Sequence, residues 1–355
     1  MVKSTVYFLL ILLLSSAIAN GEGRESDLAV VISAGTEAVA IETTKPVYPG
    51  EALTRDIEGW VVVNYVINQD GSTEDIRILD TSREGYFEKA SIQAVERWKF
   101  NPATWNGVPA TQAKNISRLV FQLRENGSGV SRFFKKRYKK AITAIDNEEL
   151  ENAKGLIAEL DEKPQRYLAE NYYLDYLKGL YWLSKQNPEK ALRHFERALL
   201  VVNLSGVPQE GHIILLRETI RLNITQANYA EVLDHYEELL KVDPELKPND
   251  PISENVAKIK QFIESESPYI TEGAITKPCL YCETVAPVWI HSLLRNQFTI
   301  KEVEGEVNEL KLLCGFKFVS LAFEQNIMWN VAKDWGDCSL LVLGTEGTTF
   351  KLVEL

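Results

Sequence analysis

Histidine and cysteine are scarce in this 355-residue chain, with four of each, and that scarcity bounds its chemistry. His194, His212, His235 and His291 are scattered, and no Gly-x-Ser-x-Gly, His-Glu-x-x-His or Gly-rich Lys-Ser/Thr motif accompanies them. A nucleophile with its base, a metal triad and a phosphate loop all need such residues at set spacings, so no catalytic centre, metal or other cofactor is expected. His194 and His235 adjoin Phe195 and Tyr236 and read as surface or inter-helix residues, while His212 lies near a loop and His291 in a strand. Positive charge is short as well. The 39 Lys and Arg against 50 Asp and Glu give −11, which disfavours nucleic acid as a partner. The single basic cluster, Arg132, Lys135, Lys136, Arg137, Lys139 and Lys140, has Phe133, Phe134, Tyr138, Ala141 and Ile142 as its apolar side. It reads as a solvated helix face, with anionic lipid or lipopolysaccharide as the alternative contact.

Long apolar runs are missing beyond the N-terminus. There Lys3 precedes an apolar run over residues 6–14, and Ala17-Ile18-Ala19 offers a small-x-small cleavage site before Asn20. A spanning helix needs about 20 apolar residues, and this run gives out at Ser15-Ser16, so residues 1–19 read as a cleaved secretory signal peptide. Residues 20–40 follow as an N-terminal segment. Length and a hydrophobic content of 45% predict two or three soluble globular domains.

Residues 46–123 are the most informative stretch. Lys45-Pro46-Val47-Tyr48-Pro49 enters as a stiff, helix-averse segment, because proline fixes φ and pushes its predecessor towards extended geometry. Residues 58–67 are rich in β-branched and aromatic side chains and predict a strand. Turn residues 68–72 and alternation over 75–80 make it a hairpin with one apolar face. Between 86 and 100, Phe87, Ala90, Ile92, Ala94, Val95 and Trp98 recur at helical intervals. Asn101-Pro102-Ala103 and Asn106-Gly107 then turn the chain into a strand over 116–123, with Leu119, Phe121 and Leu123 on one side and Arg118 and Gln122 on the other. Trp60 and Trp98 read as core aromatics.

Tyr48-Pro49, Glu58-Gly59-Trp60-Val61, Asp70-Gly71, Phe87-Glu88-Lys89-Ala90, Trp98-Lys99-Phe100-Asn101-Pro102-Ala103 and Asn106-Gly107 occur in an order that resembles the C-terminal domain of the TonB family. The resemblance implies an α+β domain, residues 41–125, whose three-stranded antiparallel sheet grips a peptide near the plug of an outer-membrane transporter by strand addition. It implies partner contacts at Tyr48 and Pro49 and along Ile116, Ser117, Arg118, Leu119, Val120, Phe121, Gln122 and Leu123. It also implies a periplasmic location in a Gram-negative envelope. The family's Pro-rich spacer and its membrane helix with a His are not found. Coupling to an inner-membrane motor is therefore expected only if the leader is retained, and an interaction scaffold on the same fold is the alternative.

Helical periods run through residues 133–264, with a loose small-large-small signature: Ala153, Ile157, Leu160; Ala191, Phe195, Ala198; Val232, Tyr236, Leu239. This pattern resembles degenerate tetratricopeptide repeats, an α-solenoid whose surface would take a peptide partner. Tyr167, Tyr172, Tyr173, Tyr176 and Tyr181 are expected between helices. Residues 265–268 read as a linker to an all-β module at 269–355, with candidate strands at 288–294, 298–303, 307–313, 316–323, 340–343 and 348–353. Its Cys279, Cys282, Cys314 and Cys338 allow three disulfide connectivities. Cys279–Cys282 with Cys314–Cys338 is preferred in an exported chain, and a four-thiolate zinc site is the alternative.

Overall fold

The computed structural model describes residues 35–83, 85–105, 107–123, 129–163, 167–276, 287–315 and 317–355. The leader, Asn106, Cys279 and Cys282 lie outside these residues. Strands β1 (Gly35–Thr36) and β2 (Val39–Glu42) lead to a short helix α1 (Gly50–Thr54), then to the hairpin β3 (Gly59–Ile67) and β4 (Thr73–Thr81). Helix α2 (Glu88–Val95) follows, then β5 (Lys99–Asn101), β6 (Ala103–Trp105), β7 (Val108–Ala110) and β8 (Gln112–Phe121). The main sheet has the order β4-β3-β8, all antiparallel.

The helix expected over residues 86–100 is thus shorter, and its last residues are strand β5, paired with β2. Tertiary bonds override the local period here. The Trp98 indole N–H donates to the Thr44 carbonyl at 2.9 Å, and the Phe100 N–H donates to the Gly71 carbonyl at 3.0 Å. Gly71 is required at that turn: its φ is +79°, and a Cβ would stand 1.9 Å from the Phe100 carbonyl oxygen.

One face of the sheet packs on α2 through Val61, Val63, Tyr65, Leu119 and Phe121, with Phe87 stacked on Phe121 at 4.4 Å. Every residue of β3 is buried, on both faces, contrary to the one-sided expectation, whereas β4 keeps exposed residues at Glu74 and Asp75. Trp60 and Val62 share a core with Leu168, Tyr172, Leu192 and Phe195 of the helical region. Val66 and Ala113 share another with Val288, Leu313 and Leu341 of the C-terminal strands. The three segments read separately in the sequence therefore meet on one sheet.

The helical region comprises α3 (Arg132–Asp146), α4 (Leu150–Asp161), α5 (Leu168–Ser184), α6 (Pro188–Leu199), α7 (Gln209–Thr225), α8 (Tyr229–Val242) and α9 (Pro251–Ile263). Ser131 accepts a bond from the Phe134 N–H and Asn187 one from the Lys190 N–H, so side-chain caps set the starts of α3 and α6. Ala153, Ile157, Leu160, Ala191, Phe195, Ala198, Val232 and Leu239 are buried on the second helix of successive pairs, and Tyr236 is half-buried. Gly179 lets α5 approach α6 closely, since a Cβ there would meet the Phe195 ring at 2.2 Å. The tyrosines of α5 pack on one another, Tyr172 against Tyr173 at 5.0 Å and Tyr176 at 6.1 Å.

Residues 264–268, all exposed and in neither helix nor strand, join α9 to strand β9 (Tyr269–Ala274), where Tyr269 stacks on Tyr229 at 5.3 Å and its hydroxyl donates to the Ala227 carbonyl. Then come β10 (Val288–Ser292), β11 (Gln297–Glu304), β12 (Val307–Cys314), β13 (Lys317–Ala322), β14 (Trp329–Asn330), β15 (Cys338–Gly344) and β16 (Thr349–Glu354). They form two four-stranded sheets, β10-β15-β12-β13 and β14-β11-β16-β9, around a core that includes Phe298, Ile300, Leu312, Leu340 and Leu352. Strands β9 and β14 escaped the sequence reading, being short and lacking a clear alternation of apolar residues. His291 and the backbone N–H groups of Leu294 and Arg295 bind the buried Glu354 carboxylate at 2.7–2.9 Å, which pins the last strand.

Cys314 faces Cys338 across the β12–β15 pairing and forms a disulfide with it, spanning 24 residues. That bond removes both as thiolate ligands, so a four-cysteine zinc site is not built. Replacing both cysteines by Ala is expected to lower the unfolding free energy by about 3 kcal/mol, the loop-closure contribution for such a span. Urea unfolding of the oxidised chain and the variant measures it, and a difference below about 1 kcal/mol would mean that the sheet alone holds this end.

Candidate functional site

Strand β8 is an edge. It pairs with β3 on one side, and among the described residues no strand pairs with the other. Such an edge carries unpaired N–H and C=O groups that can accept an extended chain. The side chains expected to line it divide into distinct groups. Ile116 is 58% exposed, and Arg118, two residues on, is exposed on the same face. Between them Ser117 is half-buried, with its hydroxyl 3.1 Å from that of Tyr65. Leu119 and Phe121 point into the α2-side core, and Val120 packs against the helical region. Gln122 and Leu123 lie past the strand's end, where the Leu123 N–H donates to Glu58 at 2.9 Å.

Tyr48 and Pro49 are both half-buried. The Tyr48 hydroxyl donates to the Ile57 carbonyl at 2.6 Å, and its ring meets Phe87 and Phe121 edge-on at 6.1 and 5.7 Å. Burial, with Glu58 and Asp56 nearby, pushes its phenol well above the usual range. Pro49 caps α1, its carbonyl accepting from the Leu53 N–H at 2.9 Å. Both residues thus brace the sheet on which β8 lies.

The helical and C-terminal segments flank β8. Glu238 of α8 acts electrostatically on Arg118, and it also binds the ring of buried His212 at 3.1 Å. His212 lies in the first turn of α7, next to the loop that precedes that helix. On the other side a cleft of about 50 Å³ opens between the two sheets, lined by Asn64, Ile116, Val288, Ile290, Leu313 and Leu341.

Two groups that support this edge were missed in the sequence. Glu58, buried at the start of β3, accepts from Leu123 at 2.9 Å and from the Leu168 N–H of α5 at 3.1 Å. Arg197 of α6 binds Asp80 of β4, the Thr81 carbonyl at 3.2 Å and Asp175 of α5 at 3.2 Å, with its guanidinium 5.0 Å over the Trp60 ring. Asp175 also binds His194 at 2.9 Å. Only the Glu-Gly-Trp-Val motif carried any local signal for Glu58; the Arg197 partners are too distant in sequence to show a pattern. Among the described residues no cluster of three His, Cys, Asp or Glu is placed to hold a metal ion.

Residues 44–123 match the family model for the Gram-negative bacterial TonB protein C-terminal. Protein TonB of Yersinia enterocolitica is 35% identical over 93 residues, which cover 26% of this chain and 33% of that protein. Protein TonB of Pseudomonas aeruginosa is 39% identical over 72 residues, covering 20% of this chain and 21% of that protein. The solution NMR structure of the Pseudomonas aeruginosa TonB CTD aligns with 25% identity and a TM-score of 0.22, covering 25% of this chain and 89% of that one. The chain spans about a third or less of the length of these curated relatives, and residues 44–123 are its TonB-family segment.

Proposed function

We propose that this chain is a periplasmic TonB-type protein that binds extended peptides of outer-membrane transporters, or of other envelope proteins, along β8 in the service of energised transport. The observation that carries this reading is the unpaired outer edge of β8 within the TonB-family segment. A peptide laid on that edge gains a ladder of main-chain hydrogen bonds, and the exposed side chains Ile116 and Arg118 beside it select among sequences. The role is mechanical, with no catalytic step and no cofactor. In this reading residues 1–19 are a cleaved leader, and contact with an inner-membrane motor requires that the leader be kept. The pairs α3/α4, α5/α6 and α7/α8 are tetratricopeptide-like repeats whose surface offers a second peptide site, and the strands of residues 269–355 form a separate all-β unit that shields the sheet.

A second reading, a scaffold for envelope proteins without motor coupling, is favoured by the burial of the second face of β3. Trp60, Val62 and Arg197 tie the TonB-family segment to the helices, so it is one wall of a larger body.

The test uses the full chain and peptides from the N-terminal segments of transporter plugs, measured by calorimetry. A binding peptide N-methylated on the residues that face β8 is expected to lose at least about tenfold in affinity, because it can no longer donate to the edge, while methylation on the opposite set changes little. Equal affinity for both methylated forms would rule out strand addition. Binding of an envelope assembly protein with none of any plug peptide would favour the scaffold.

A further inference from the structure

Helix α3 carries a stripe of charge that the peptide edge does not use. Arg132, Lys135, Lys136, Lys139 and Lys140 follow the i, i+3, i+4, i+7, i+8 spacing of a single helix face, and all five are exposed. The opposite face buries Phe134, Ala141, Ala144 and Ile145, so packing fixes the stripe outward. Among the described residues none of these five cations has an ion-pair partner. On the next helix, α4, Glu159 binds Arg137, and Asp161 binds Lys178 at 2.7 Å. Phe133, 37% exposed at the stripe's margin, has the Lys163 ammonium 3.9 Å from its ring centre and Arg137 at 5.3 Å.

Like charges at i, i+4 oppose helix formation, and here Arg132 with Lys136, Lys135 with Lys139 and Lys136 with Lys140 do so together in a chain of net charge −11. Such a concentration suits a partner that supplies many negative charges over an area. The stripe is about 12 Å long at the rise of an α-helix, too extended for one bound ion. Four of its five cations are Lys, point charges on flexible stems that suit a diffuse anionic surface, whereas a discrete phosphate or carboxylate favours the planar fork of Arg. We propose that the basic stripe of α3 docks this protein on an anionic phospholipid surface, with Phe133 at the rim of the contact.

Vesicle co-sedimentation of the full chain tests this. Binding is expected to vesicles containing one-third phosphatidylglycerol in phosphatidylcholine, at about 0.15 M salt, and to fall away at about 1 M. Each Lys near such a surface contributes roughly fivefold in partitioning, so replacing Lys135, Lys136, Lys139 and Lys140 together by Gln should lower it by about 100-fold or more. Gln keeps helix propensity, and circular dichroism checks the fold. Replacing the same four by Arg should retain binding. Equal binding to pure phosphatidylcholine, or an unchanged partition coefficient in the Gln variant, would overturn the proposal. Full displacement by millimolar inorganic phosphate, or association only with an acidic protein, would equally overturn it.

Discussion

Replacing Arg197 by Met is expected to destabilise the full chain by about 3–5 kcal/mol, because it leaves the buried Asp175 carboxylate without its main countercharge. Arg197 touches Asp175 of α5, Asp80 of β4 and the Trp60 ring of β3 together. Burial alone would raise the Asp175 pKa, but the charge of Arg197, the His194 bond and further positive charge outweigh it and hold the group down at about 2. The folded value lies below the unfolded one of about 3.9, so the stabilisation is present above about pH 4 and disappears as pH falls towards 2. It amounts to roughly 3 kcal/mol. Urea unfolding of wild type and variant should therefore diverge most near pH 7 and converge as the pH approaches 2. Adding Asp175→Asn to the Met variant should recover part of the loss. A loss below about 1 kcal/mol at pH 7, or one independent of pH, would show that the ion cluster does not join sheet and helices.

Trp60→Ala is expected to cost about 3–5 kcal/mol, the usual range for deleting a fully buried aromatic. Trp60 is 0% exposed and fills the space between β3 and the α5–α6 pair. Among the described residues its buried indole N–H has no hydrogen-bond partner, so the donor has lost water without gaining an acceptor there. Trp60→Phe removes that donor along with some contact area, and the two effects offset, so it should cost no more than about 1 kcal/mol. The pair of variants separates packing from polarity. A Phe variant as damaged as the Ala variant would mean that the indole makes an interaction of its own here.

Much of the main sheet was legible in the sequence because its determinants are local. The alternation in residues 58–67 and 75–80, the Asp70-Gly71 turn and the apolar positions around Phe87 each describe a segment meeting its neighbour, and they yielded β3, β4, α2 and their pairing. The capped start of α6 at Asn187-Pro188 was legible for the same reason. Six strands of the tail were located within a few residues, since alternation fixes which residues face a core even when the core's other wall is unknown. Misses occurred where a distant group takes over. Trp98 and Phe100 left the helical period for bonds to Thr44 and Gly71.

By itself, the sequence determined the kinds of elements, their order, the turn glycine at Gly71, the TonB-type pattern of the sheet and the basic stripe of α3, all set by spacing within a few residues. Only the tertiary structure decided that β3 is buried on both faces, that Glu58 and Arg197 bridge segments more than a hundred residues apart, that Cys314 meets Cys338, and that β8 keeps an open middle at Ile116 and Arg118. The physical reason is that burial and charge compensation depend on which surfaces meet, and an apolar or charged residue reads the same in sequence whether its partner is water, its own helix or another part of the chain.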